Sequence, residues 1–280
     1  MSSSYQLGLW KQVSFLVLGQ LFGRPWLWRC FILVGHDALT LTCSYSLHMQ
    51  DIAVASSPAD RPLTSRYRWI SLVEIALGTF FVIGHNVFHI VPNEVPILFV
   101  FFWVSFRLRD GGWSVAGLTR PKSWWKTVLM AIVAAAVLQL GSELIIQPLA
   151  SHLSQRPEQV SSLLKTPALD WKLALRNLAI VWIFAGFGEE IGYRGYLLTR
   201  AADLGNRSKL AYVAAMLYVA VLFGLGHVYK GSVGIIDSTY SGLVLGGIYL
   251  LSGRNLWAPI LAHGISNTFA VIVVFMGWAT

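Results

Sequence analysis

The chain has 280 residues, 55% of them hydrophobic and 12% charged, with 12 Trp. Soluble domains carry about 25% charged residues, so the composition excludes an ordinary soluble globule and points to a multi-span α-helical membrane protein. The net charge of +8 reads as cytoplasmic-loop bias and not as a nucleic-acid footprint, because the basic residues fall between apolar runs; those runs are continuous, which excludes the alternating strands of a membrane β-barrel.

Residues 1–60 do not read as a span. Val13–Gly23 is too short, and Pro25–Gly35 is broken by Arg29, where about 20 apolar residues are needed. No signal-peptide pattern opens the chain. We expect an interfacial or poorly ordered extension, and Met49 stands as an alternative start of translation. Cys30 and Cys43, the only cysteines, would then lie outside the shorter product; they imply neither a disulfide framework nor a Cys-x-x-Cys zinc site.

Residues 61–280 are expected to form the transmembrane domain. Spans are predicted at 69–91, 97–108, 126–148, 172–198, 209–229, 235–252 and 256–278, giving an all-α polytopic bundle of about seven spans. The loop from Arg107 to Lys126 holds five basic residues, and Arg200, Arg207 and Lys209 follow the fourth span. Those loops and the N-terminus are assigned to the cytoplasm, and the C-terminus to the outside. The stretch 150–170 is expected to be an external loop with an amphipathic helix at 158–165.

Three polar clusters interrupt the later spans: Glu189-Glu190-Ile-Gly-Tyr-Arg194, Phe223-Gly-Leu-Gly-His227 and His263-Gly-Ile-Ser-Asn267. Each ionisable group in hydrocarbon costs roughly 2.5–3.5 kcal/mol on insertion scales. Glu190 and Arg194 are i and i+4 and can pair on one helix face. Glu189 is turned about 100° away and is left to act elsewhere. If the three faces converge, Glu189, His227 and His263 can hold a divalent metal with an open water position. Without metal, Glu189 and His227 can activate water directly, with His263 and Asn267 donating to an oxyanion. Both routes end in hydrolysis of an amide bond, and the residues do not choose between them. Glycines crowd the clusters (Gly186, Gly188, Gly192, Gly195, Gly224, Gly226, Gly231, Gly234), as close helix packing requires. Counted along straight spans, however, His227 and Glu189 sit at levels roughly 12 Å apart, unless the helix from 209 starts below the bilayer surface.

This ordered set resembles the motifs of the CPBP family of intramembrane metalloproteases. The family groups type II CAAX prenyl endopeptidases with bacteriocin-processing and self-immunity (Abi) proteins. The resemblance covers about residues 120–275, so the motif core is expected in the last four helices. It implies an intramembrane endopeptidase acting on a membrane-associated substrate, of CAAX type or a bacteriocin- or pheromone-like peptide. It makes Glu189 the water-activating carboxylate, with Glu190 and Arg194 as its supporting pair. His227 becomes the second activating or metal-binding group, and His263 and Asn267 become ligand or oxyanion donors. It implies a divalent metal, zinc by the donor set, with a metal-free glutamate mechanism left open. The expected setting is a bacterial inner membrane, with a peptide substrate and the bilayer as partners and no nucleic acid. A non-catalytic immunity or adaptor protein, or a proton-coupled transporter, is the alternative; the absence of matching halves in the sequence weighs against a transporter.

Other intramembrane polar residues have plainer readings. His85 and His89 are i and i+4, but no Glu follows His85, so the zinc-protease helix signature is missing. Glu74, Glu143 and Asp237 are the other intramembrane acids; Asp237, near the Gly-rich turn after His227, is read as a core hydrogen-bonding group, and Phe223 as packing.

Overall fold

The computed structural model describes residues 65–154 and 171–277 together with the backbone of 11–21, 24–34 and 39–44. The expected amphipathic helix at 158–165 and the alternative start at Met49 lie outside the described residues. The chain divides into two compact units, Met1–Ala55 and Ser56–Thr280.

The first unit is an antiparallel meander of β1 (Lys11–Leu21), β2 (Arg24–Val34) and β3 (Leu39–Ser44), in the order β1-β2-β3. Lys11 pairs with Val34 and Leu21 with Arg24, while Cys30 pairs with Cys43 in the β2–β3 register. The sequence reading expected an unstructured or interfacial extension here. The runs are rich in Val, Phe, Trp, Ile and Thr, residues that fit a pleated surface.

The second unit is all-α. Its first two helices are α1 (Ser65–Asn86) and α2 (Glu94–Arg109). After a 3₁₀ turn at Trp113–Ala116, α3 (Trp124–Gly141) passes through a π-helical turn, Ser142–Ile146, into α4 (Gln147–Ser154). Next, α5 (Trp171–Ile180) continues through a π-helical stretch, Val181–Leu198, into α6 (Thr199–Leu204). α7 (Lys209–Leu225), a 3₁₀ turn at Val228–Lys230, α8 (Gly231–Leu251) and α9 (Trp257–Phe275) complete the unit. Joined end to end, these pieces make seven helices among the described residues.

Among the described residues, four helices are long and apolar enough to cross a membrane: Ser65–Asn86, Trp124–His152, Val228–Leu251 and Trp257–Phe275. The expectation of about seven spans is therefore corrected. At 1.5 Å per residue, α2 and α7 reach only about 24–26 Å, short of a hydrocarbon core about 30 Å thick. The helix through residue 189 is long but carries too many charges. The polarity of the unit is nonetheless that of a membrane bundle. Trp69, Phe88, Leu108, Leu144, Leu210 and Leu251 are exposed, while Glu190, Arg194, Arg200 and Asp203 are fully buried. Apolar residues outside and charges inside is the arrangement that lipid favours.

Small residues set the helix spacing. A Cβ on Gly242 of α8 would stand 2.8 Å from Ala220 Cα of α7, and one on Gly224 would stand 2.0 Å from Thr239 Oγ1. A Cβ on Gly186 would lie 3.4 Å from Gly264 Cα of α9. These approaches clamp the π-helical stretch, α7, α8 and α9 together at the depth of the polar clusters. The main core joins Val82, Leu98, Phe102, Ile191, Phe223 and Tyr249.

The end of the bundle near the α6–α7 turn is closed by a buried ion network. Arg200 donates to Asp110 Oδ2 (2.7 Å) and Asp203 Oδ2 (3.2 Å), and its guanidinium lies 3.9 Å over the Phe106 ring. Arg207 reaches Asp203 Oδ1 (2.5 Å) and Asp110 Oδ1 (3.1 Å). Arg109 pairs with Glu74, which also accepts from Ser105. Glu74 is therefore an ion-pair partner as well as a hydrogen-bond acceptor, while Asp237 accepts from Ser142 Oγ at 2.5 Å and Glu143 from Gln139 at 3.1 Å. Arg200→Ala should destabilise the bundle by about 3–5 kcal/mol, because it strands buried carboxylates. Thermal unfolding in detergent checks this; Arg66→Ala, at the exposed start of α1, should leave the midpoint unchanged.

Candidate active site

The three clusters meet around the Phe223 ring. Glu190 and Arg194 lie one turn apart on the π-helical stretch, both fully buried, with Arg194 Nη1 donating to Glu190 Oε1 at 2.8 Å. Arg194 Nη2 reaches the Gly242 carbonyl at 3.4 Å, and the guanidinium carbon stands 4.5 Å from the centre of the Phe223 ring. Phe223 also packs against Tyr193 (5.0 Å), His227 (4.7 Å) and His263 (6.1 Å). The packing role expected of Phe223 is thus that of the platform on which the polar groups are arranged.

His263 contacts Glu190, not Glu189. Its Nδ1 lies 2.8 Å from Glu190 Oε1, the oxygen that also accepts from Arg194. A carboxylate paired with a guanidinium only accepts, so the His263 proton sits on Nδ1 and Nε2 carries a lone pair. The same argument holds for His227, whose Nδ1 lies 2.8 Å from the Phe223 carbonyl oxygen. Both imidazoles therefore turn an unprotonated Nε2 away from their anchoring bonds. This bears on the two routes left open by sequence: with its proton on Nδ1, His263 offers Nε2 as a proton acceptor or ligand and not as a hydrogen-bond donor.

Glu189 sits beside this array. Its Oε2 is buried with no hydrogen-bond partner, and the carboxylate interacts electrostatically with His263, Glu190, Arg194 and Lys230. Asn267, one turn beyond His263 on α9, is half-buried. His227 lies within the electrostatic reach of His263, Arg194 and Lys230.

The difference in level between Glu189 and His227 resolves at the hairpin. The helix after Glu189 does not stop near 199 but runs to Leu204, and α7 begins only after Ser208 caps it, Oγ accepting from Ala211 N at 3.2 Å. Measured from that turn, Glu189 and His227 stand about 24 and 28 Å up their helices, within one helical turn of each other.

Among the described residues no group of three or more His, Cys, Asp or Glu is arranged to hold a metal ion. The donor chemistry suits zinc, since Glu189 Oε2 and two imidazole Nε2 atoms are free and both imidazoles have the Nδ1 partners that zinc ligands commonly use. The three do not close on one point as they stand.

His85 and His89 do not share a helix face. α1 ends at Asn86, and His89 adopts a left-handed backbone, φ 54°. Sequence reading missed Glu94 entirely, having begun the second span at 97. Asn93 Oδ1 accepts from Val95 N at 2.9 Å and caps α2 there, which brings Glu94 into its first turn. An Asn before an acidic residue and an apolar run is the signal that would have placed it.

Residues 171–269 match the family model described as Type II CAAX prenyl endopeptidase Rce1-like. The match spans all three motifs. No curated protein and no solved structure matches the chain. Arg194→Ala should unfold the site by about 3–5 kcal/mol, since it leaves Glu190 buried without its main counter-ion; the paired loss of thermal stability in Glu190→Gln/Arg194→Ala should be smaller than the sum of the single losses. Residues 171–269, less than half of the chain, are thus similar to the Rce1-like family model.

Proposed function

We propose that the chain is an intramembrane endopeptidase that hydrolyses a peptide bond of a membrane-associated substrate. One observation carries the reading. Helices far apart in sequence bring two imidazoles and a carboxylate–guanidinium pair against the Phe223 ring, and Glu189, next to Glu190 in the chain, keeps a buried Oε2 without a hydrogen-bond partner.

Glu189 accepts a proton from water as the water oxygen bonds to the peptide carbonyl carbon, with His227 Nε2 orienting the water. The carbonyl becomes an oxyanion, toward which Asn267 can donate from α9. Collapse breaks the C–N bond. The amine leaves with the proton returned from Glu189, directly or relayed through His263 Nε2. A divalent cation, bound by Glu189, His227 and His263, would lower the pKa of water and polarise the carbonyl. The substrate class is that of the matched family, a CAAX-type tail or a bacteriocin- or pheromone-like peptide. The proposed setting is a bacterial inner membrane, with the α6–α7 turn and the N-terminus in the cytoplasm.

Membrane proteomics of cells producing the wild type should show processed termini that disappear in Glu189→Ala, a loss of about 10²–10⁴-fold if Glu189 is the base. Unchanged termini with normal insertion would overturn the hydrolase reading. Metal content of the purified protein, and activity after chelation and zinc addition, test the cation separately. If zinc takes part, it should be lost together with activity, and His227→Ala should lower both.

A further inference from the structure

The polar array does not end at Glu189. Glu94, at the first turn of α2, is buried under the same site and is unused by the hydrolytic steps above. Its Oε1 accepts from Asn86 Nδ2 (3.0 Å) and from the Tyr193 hydroxyl (3.3 Å). Its Oε2 is buried without a hydrogen-bond partner, 3.7 Å from His85 Nε2. Asn86 is itself fixed, donating to the Val82 carbonyl at 3.0 Å. A buried carboxylate in a membrane bundle is costly, and here no Arg or Lys pairs with it among the described residues; its one basic neighbour is His85.

What Glu94 holds in place is Tyr193. The Tyr193 ring stands edge-on to Phe223 with centroids 5.0 Å apart, and a Cβ on Gly226 would lie 2.8 Å from the Tyr193 oxygen. Tyr193 therefore lies under the last turn of α7, where Gly226 leads into His227. The Phe223 carbonyl anchors His227 Nδ1, and the Phe223 ring stacks on the imidazole. Contacts run without a gap from Glu94 through Tyr193 to Phe223 and Gly226, and so to His227.

We infer that Glu94 is a positioning residue for the hydrolytic site: by accepting from Tyr193 it locks the tyrosine against the Phe223–His227 turn and sets where His227 Nε2 points. This rests on the hydrolase reading. The acceptor at Oε1 carries the effect, so a neutral amide that keeps an acceptor there preserves it. Misplacing a reacting group by about 1 Å costs roughly 10²-fold in rate, so loss of the lock appears in kcat while substrate binding is little changed.

The test uses the full-length protein in detergent or proteoliposomes. Its substrate is a quenched-fluorescence peptide spanning a terminus that disappears in Glu189→Ala cells. Glu94→Ala should lower kcat about 10- to 100-fold with KM essentially unchanged, and Glu94→Gln should restore most of the rate. Tyr193→Phe, which removes only the hydroxyl, should reproduce the Glu94→Ala loss, and the double variant should lose no more than either single. Full kcat in Tyr193→Phe overturns the inference, as do additive losses or a Glu94→Gln as slow as Glu94→Ala. If Glu94→Ala does not fold, Tyr193→Phe and Glu94→Gln still decide. If no terminus depends on Glu189, the hydrolase reading fails and the inference with it; if Glu189 is required and Glu94 is dispensable, only the inference fails.

Discussion

A charge can stay in a lipid-enclosed bundle only if its partners are built in, and the arrangement of this site follows from one such pairing. Glu190 Oε1 is shared by Arg194 and His263, each at 2.8 Å. That single oxygen ties the π-helical stretch to α9, and Arg194 extends the tie to the α8 backbone at Gly242 and to the Phe223 ring of α7. Four helices are thereby referenced to one ion pair. Desolvating a carboxylate and a guanidinium costs several kcal/mol each, so the pair does not by itself explain stability. It explains specificity: helices that would otherwise slide on apolar faces have one register in which both charges are satisfied.

The groups proposed to react follow from that register. Once Glu190 accepts at His263 Nδ1, the imidazole presents a basic Nε2. Once the Phe223 carbonyl accepts at His227 Nδ1, a second Nε2 is set on the adjacent helix. Glu189, next to the shared carboxylate in sequence but turned from it, is the polar group left over. Close helix contact at Gly186, Gly224, Gly242 and Gly264 makes the convergence possible, because a Cβ at any of them would meet a neighbouring helix. The same economy is visible at the α6–α7 end, where Arg200 and Arg207 share Asp110 and Asp203.

Much of this was legible in the residues because it is local. The i, i+4 spacing of Glu190 and Arg194 predicts their contact, and continuous apolar runs predict the helices. What escaped the sequence depends on partners distant along the chain or on helix ends. Arg200 meets Asp110 across 90 positions, and nothing in either neighbourhood announces the other. His85 and His89 share a helical spacing but not a helix, since α1 stops at Asn86. Glu94 was read as loop because apolarity, not the Asn93 cap, set the start of α2. The difference in level between Glu189 and His227 arose from ending one helix near 199, where backbone hydrogen bonding carries it to Leu204. The span count differs because the continuous apolar runs at 97–108 and 209–229 belong to helices too short to cross the hydrocarbon core.

The convergence of helices on Glu190 is open to a direct distance measurement in native membranes. With Cys30 and Cys43 replaced by Ser, a Glu190→Cys/His263→Cys variant carrying a protease site in the α6–α7 turn would be treated with mercuric ion and then cleaved. Side chains that touch in the folded bundle should be bridged, so the two fragments should stay joined on a denaturing gel until thiol is added, whereas Glu190→Cys paired with an α9 cysteine nearly two turns beyond, at Phe269, should separate. Fragments that separate in the Glu190→Cys/His263→Cys protein despite normal insertion would contradict the account.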